Sequence, residues 1–170
     1  MALRTAGGIT VNQTTNFAGY YGSFYSILDQ TDGTTPHRMY CENTADADGV
    51  TMALGDENTK SRMTFANAGT YNIQFSAQLH HIGGGGSGNT VNIWFRLNGQ
   101  NIAASDTKVT VQSNNPYVVA AWNFIVSVAA GDYVEIIWFT DNENIILEFE
   151  AADATHPSIP SVIMTAQQIR

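Results

Sequence analysis

The sequence has little of what a catalytic, nucleic-acid-binding or membrane protein needs. One residue of 170 is a cysteine, Cys41, so no internal disulfide can form; a small apolar residue on a strand is its simplest reading. Seven Lys and Arg stand against fifteen Asp and Glu, a net charge of −8. The seven are scattered, which removes the electrostatic basis for gripping a phosphate backbone, and no nucleic-acid partner is expected. No apolar run approaches membrane-spanning length and residues 1–8 lack the core of a signal peptide, so no membrane partner is expected either. A helical period and an internal repeat of 20 to 50 residues are both missing, which argues against helical bundles, solenoids and propellers. The four histidines, His37, His80, His81 and His156, assemble no nucleophile, base and orienting carboxylate. The chain is therefore read as not an enzyme.

What is present is alternation. In residues 69–79, Tyr71, Ile73, Phe75, Ala77 and Leu79 alternate with small or polar residues, the signature of a half-buried strand. Residues 91–97 alternate again and stop at Asn98-Gly99, the dipeptide of a tight hairpin turn. Residues 122–128 end at Ala130-Gly131-Asp132, and 133–139 begin at once; 145–150 and 161–166 complete the set, with 19–28, 38–42, 50–54 and 61–65 earlier in the chain. Short strands at this spacing predict an antiparallel sandwich or barrel. At this length one domain is expected, able to bury about two thirds of its unfolded surface without a metal or disulfide. Residues 1–18, rich in Gly, Thr and Asn, read as an extended arm, and 19–170 as the domain. Residues 83–88, glycine at five of six positions, read as a mobile loop.

Strand 133–139 is apolar on both faces: Tyr133, Ile137 and Phe139 with Glu135 on one, Val134, Ile136 and Trp138 on the other. A sandwich buries only one face of each sheet. A loop or the arm could cover the other; a copy of the same chain is the more economical cover. On this reading a trimer interface forms from Tyr21, Phe24, Tyr133, Ile137 and Phe139.

Phe65, Gly69-x-Tyr71-x-Ile73-x-Phe75, Ile93-x-Phe95-x-Leu97-Asn98-Gly99, Gly131-Asp132-Tyr133-Val134-x-Ile136 and the strand around Ser161-Val162-Ile163 together resemble the tumour necrosis factor-like jelly roll, which includes the globular heads of complement's first component. The resemblance spans about residues 19–169. Residues 66–169, with Trp122-Asn123-Phe124, are similar to versions of this module in tailed-bacteriophage virion proteins. It implies an antiparallel two-sheet jelly roll of about ten strands, a homotrimer, and binding rather than chemistry. Animal members have a collagen-like stalk, a signal peptide and paired cysteines; none is evident here, which argues against extracellular signalling.

The expectation is a non-enzymatic virion protein, made in the host cytoplasm and displayed on the virion surface as a capsid decoration (cement) protein. Its partners would be itself, as a homotrimer, and the major capsid or another virion protein; the alternative is a receptor-binding module of a tail fibre or spike. Leu3, Ile9, Val11 and Phe17 would anchor the arm, three arms acting together. No cofactor is expected. Glu148 and Glu150 share a strand face near Asp141, Glu143 and Asp153, a set of oxygen ligands that could hold Ca²⁺ or simply face solvent. Some relatives by resemblance hold calcium near the trimer axis. Trp94, beside Asn92 and Arg96, suits a carbohydrate- or protein-facing surface, or packing against a loop or subunit.

Overall fold

The computed structural model describes residues 19–31, 33–83, 89–114 and 116–170. Among these the chain forms thirteen strands and no helix: β1 (Tyr21–Ser26), β2 (His37–Arg38), β3 (Asn43–Asp48), β4 (Val50–Leu54), β5 (Lys60–Phe65), β6 (Gly69–His81), β7 (Asn89–Leu97), β8 (Gln100–Asn101), β9 (Thr107–Val111), β10 (Tyr117–Val128), β11 (Tyr133–Thr140), β12 (Ile145–Leu147) and β13 (Val162–Gln168). The first sheet runs β10-β6-β13-β1-β3, with β12 also on β6. The second runs β4-β5-β11-β7-β8, with β2 on β11 and β9 on β7. All pairings between these strands are antiparallel, and the expected all-β two-sheet sandwich is what the chain adopts.

The pairing is nested. Set aside the short β2, β8 and β12 and the edge strands β3 and β4, and the first remaining strand pairs with the last, β1 with β13. Working inward, β5 pairs with β11, β6 with β10, and β7 with β9. The eight strands thus follow a long hairpin folded over on itself.

Alternation decides the inner faces. Tyr71, Ile73, Phe75, Ala77 and Leu79 of β6 point inward from the first sheet, and Val91, Ile93 and Phe95 of β7 from the second; all are buried. Phe75 meets Phe95 edge-on across the sheets at 6.0 Å and Trp122 at 4.6 Å, while Phe124 stacks on Phe95 at 5.0 Å. These four rings pin the two layers at mid-sandwich. The hairpin after β7 turns at Asn98 (φ 50°) and Gly99 (φ 78°), the left-handed pair that matches strand twist.

β3, of sequence Asn-Thr-Ala-Asp-Ala-Asp, was not expected as a strand. It has no buried residue and is held by backbone pairing to β1, so no side-chain pattern announces it. β9, where only Val109 and Val111 alternate, was likewise unforeseen.

Candidate interaction surfaces

The two sheets differ on their outer faces. On the first sheet, cross-strand register places Tyr117, Val119, Ala121, Asn123 and Ile125 of β10 opposite His80, Gln78, Ser76, Gln74 and Asn72 of β6. Ile163, Thr165 and Gln167 of β13 lie on the other side of β6, and Tyr21, Ser23 and Tyr25 of β1 extend the same face. No Asp, Glu, Lys or Arg occurs among these residues. Tyr117 is 61% exposed, Val119 and Ile125 each 56%. Three shallow depressions of about 340, 300 and 290 Å³ mark the face, and Gln74 borders all three. Carboxylates appear only at its borders. On the β3 side Tyr21 donates its hydroxyl to Asp46 Oδ2 at 3.2 Å, and this hydrogen bond, followed by the acceptor's charge, raises the tyrosine pKa. At the far end the His80 ring stacks on Tyr117 at 4.2 Å. Its Nδ1 lies 2.8 Å from Glu148 Oε1, close in distance but not aligned as a hydrogen bond.

The second sheet is charged outside. Glu135 of β11 has a fully buried side chain, and its Oε1 accepts from Arg38 Nε at 2.9 Å and Arg62 Nε at 3.4 Å. Arg38 also donates to Glu57 Oε1 at 2.7 Å and Asp56 Oδ2 at 3.0 Å; Arg62 donates to Asp56 and lies 4.5 Å over the Tyr133 ring. Burial works against the Arg38 charge, but Glu135 and Glu57 beside it outweigh that and raise its pKa. Glu135 Oε2 finds no protein partner. The network ties residues 56–57 and strand β2 down over β11, and it offers no nucleophile.

This arrangement overturns the premise that β11 needs a second chain to cover its other face. Ile137, flanked across the sheet by Arg38 and Trp94, is 0% exposed within one chain. Of the five residues assigned to a trimer interface, Phe24 lies in the core between the sheets, also at 0% exposure. Tyr133, Ile137 and Phe139 belong to the second sheet's outer side and Tyr21 to the first sheet's, so the five do not share a face. Leu3, Ile9, Val11 and Phe17 lie outside the described residues, as do 84–88 of the glycine-rich segment.

The carboxylates considered for Ca²⁺ are spread apart. Asp141 accepts from the Thr90 amide and hydroxyl, Glu148 faces His80, and Glu150 and Asp153 flank His156 at 3.6 and 3.5 Å. Among the described residues no group of three or more His, Cys, Asp or Glu is placed to hold a metal ion. His80 and His81 point to opposite faces as their adjacency requires: His81 is buried, with Nε2 3.3 Å from Asn142 Nδ2. Cys41 is buried, and burial pushes its thiol pKa far up, which keeps it unreactive.

The uncharged face escaped a reading that looked for alternation. Its signal was the run Tyr117-Val118-Val119-Ala120-Ala121, apolar at both parities and charge-free, in a strand that extends five residues earlier than expected. In comparisons with known proteins, no family model matches the chain and no curated protein matches its sequence.

Proposed function

We propose that the chain is a non-enzymatic structural module of a tailed-phage particle, a homotrimeric jelly roll on the particle surface that decorates or cements the capsid. The observation that carries the reading is the charge-free patch that β10, β6, β13 and β1 form on the outer side of the first sheet, bordered by Asp46 and Asp48 of β3. In a chain of net charge −8, a patch of four strands without a carboxylate suits further copies of itself, because acidic faces gathered around one axis would repel one another. Twelve paired residues of β6 and β10 and four strands give on the order of 700 Å² of sheet, close to the roughly 800 Å² per partner of a stable interface. Exposed Tyr117, Val119, Ile125 and Ile163 supply its apolar part. The nested strand pairing supports the tumour necrosis factor-like jelly roll that the motifs resemble, since two sheets wrapped from one folded hairpin are that fold's plan.

The second reading is a receptor-binding module of a tail fibre or spike. It draws on the half-buried Trp94 beside a recess on the second sheet, which a trimer packed through the first sheet leaves open. Imaging particles with the protein labelled separates the two: density on the head supports decoration, and density confined to the tail replaces it with the fibre reading. Deleting residues 2–17 tests the arm. The proposal expects a folded trimer that no longer joins particles; normal attachment would move that role to the sandwich.

A further inference from the structure

β8 and β9 both pair with the same edge of β7, β8 opposite Arg96 and Leu97 and β9 opposite residues 89–93. The chain between them therefore passes Trp94 without pairing to it. This detour is held in shape. The Ile102 amide donates to Phe95 O at 2.9 Å. The Phe95 amide donates to Ser105 Oγ at 3.1 Å, and that hydroxyl donates to Ile102 O at 2.8 Å. Ala104 sits at φ +60°, a left-handed conformation that a β-carbon disfavours and that only surrounding structure maintains. What the detour leaves is a recess of about 270 Å³ walled by Trp94, Asn101, Ile102, Ala104 and Asp106.

Its polar groups are already aimed. Asn101 Oδ1 accepts from Trp94 Nε1 at 2.9 Å and from Arg96 Nε at 2.8 Å. Both acceptor positions are thereby used, the indole and the amide are fixed, and the amide N–H₂ is left to donate. The Asp106 oxygens accept from Asn92 Nδ2 at 3.2 and 2.9 Å, and each keeps a lone pair. The recess thus joins a rigid indole wall, an amide donor and a carboxylate acceptor.

We infer that this recess is a subsite for one pyranose sugar, its C–H face on the Trp94 ring and neighbouring hydroxyls shared between Asn101 and Asp106. The alternatives fit less well. A purely apolar side chain would strip water from Asp106 and Asn101 without replacing their hydrogen bonds. An anion would meet Asp106 in a chain of net charge −8, and a cation would meet Arg96. The volume lies just under the range of drug-sized pockets, which suits a single ring rather than an extended ligand. The site lies on the outer side of the second sheet, so association through the first sheet, as proposed above, leaves it open.

The test is a titration of the full chain with four methyl glycosides, of glucose, galactose, mannose and N-acetylglucosamine, watching the three tryptophan indole N–H signals by NMR. Trp94→Phe assigns the relevant signal. Its N–H is bonded to Asn101, so it reports directly on the recess. At least one glycoside should shift the Trp94 signal saturably with a dissociation constant on the order of millimolar, leaving Trp122 and Trp138 unmoved. Asp106→Ala, at an exposed position, should weaken that binding tenfold or more with an unchanged melting temperature. No saturable shift with any of the four overturns the assignment. So does an Asp106→Ala chain that titrates like the parent, or a response to a phenylalanine-containing peptide in place of the sugars.

Discussion

At Glu135 the chain places a carboxylate with a fully buried side chain between two arginines whose side chains keep 16% and 24% exposure. The two ends of this contact are not equivalent. Without Glu135, Arg38 still has Glu57 and Asp56; without Arg38, Glu135 keeps only Arg62, at 3.4 Å. A buried charge left short of partners costs more than the loss of one contact among several. Arg38→Ala is therefore expected to lower unfolding free energy by about 3 kcal/mol and Glu135→Ala by about 1.5 kcal/mol, both measured by urea titration. The reverse order would mean that Arg62 alone satisfies the carboxylate. Ile137 belongs to the same surface. Because it is buried within its own chain, Ile137→Ala should cost about 2 to 4 kcal/mol of stability without changing the number of chains per particle. A loss of oligomer at unchanged stability would return Ile137 to an interface. Neither expectation was legible in the sequence: β11 reads as apolar on both faces, and nothing local says that Arg38, 97 residues before Glu135, folds over one of them.

Among the elements, strands with one polar and one apolar side were legible, and those defined by backbone pairing alone were not. β6 shows its inner face in five alternating residues and β7 ends at a turn the dipeptide Asn98-Gly99 specifies. β3 offers only Asn, Thr, Ala and Asp, so its place beside β1 is set by register and not by burial. The turns that end the strands lend themselves to measurement. Gly99 has φ 78° and a β-carbon there would meet only Tyr133 Oη, at 3.4 Å, so Gly99→Ala carries a conformational cost of about 1 kcal/mol and no clash. A loss above about 3 kcal/mol would show that contact, not backbone, decides the position. Asp132 ties this turn to the next. It accepts from Asn98 Nδ2 at 2.8 Å and the Ala129 amide at 2.7 Å, and these bonds, the Asn98 one foremost, depress its pKa. A carboxylate depressed in the folded state stabilises above its unfolded pKa, about 3.9, and that contribution is lost as pH falls through the folded value. The difference in melting temperature between parent and Asp132→Ala should hold steady from pH 7 to 5 and shrink below about pH 4. A difference that grows on acidification would contradict the assignment.

For the whole molecule, an antiparallel sandwich or barrel followed from strand spacing, but the two-sheet jelly roll rested on resemblance, because alternation says which side of a strand is buried and not which strand lies beside it. The five residues grouped as an interface are separated in the fold for the same reason. Side-chain parity in β11 pointed to a second buried face, whereas the charge-free face lies on the other sheet and becomes visible only when β10, β6, β13 and β1 are set side by side. If copies meet there, a carboxylate introduced at its exposed positions acts on association and not on folding, since Val119 and Ile125 are each 56% exposed in the single chain. The most direct measurement is the light-scattering mass of the Val119→Glu, Ile125→Glu chain beside the parent at equal micromolar concentration. The parent should weigh three chains of 18.4 kDa and the variant one, with the same β-sheet circular dichroism. A parent that weighs a single chain, or a variant that still weighs three, would contradict the account.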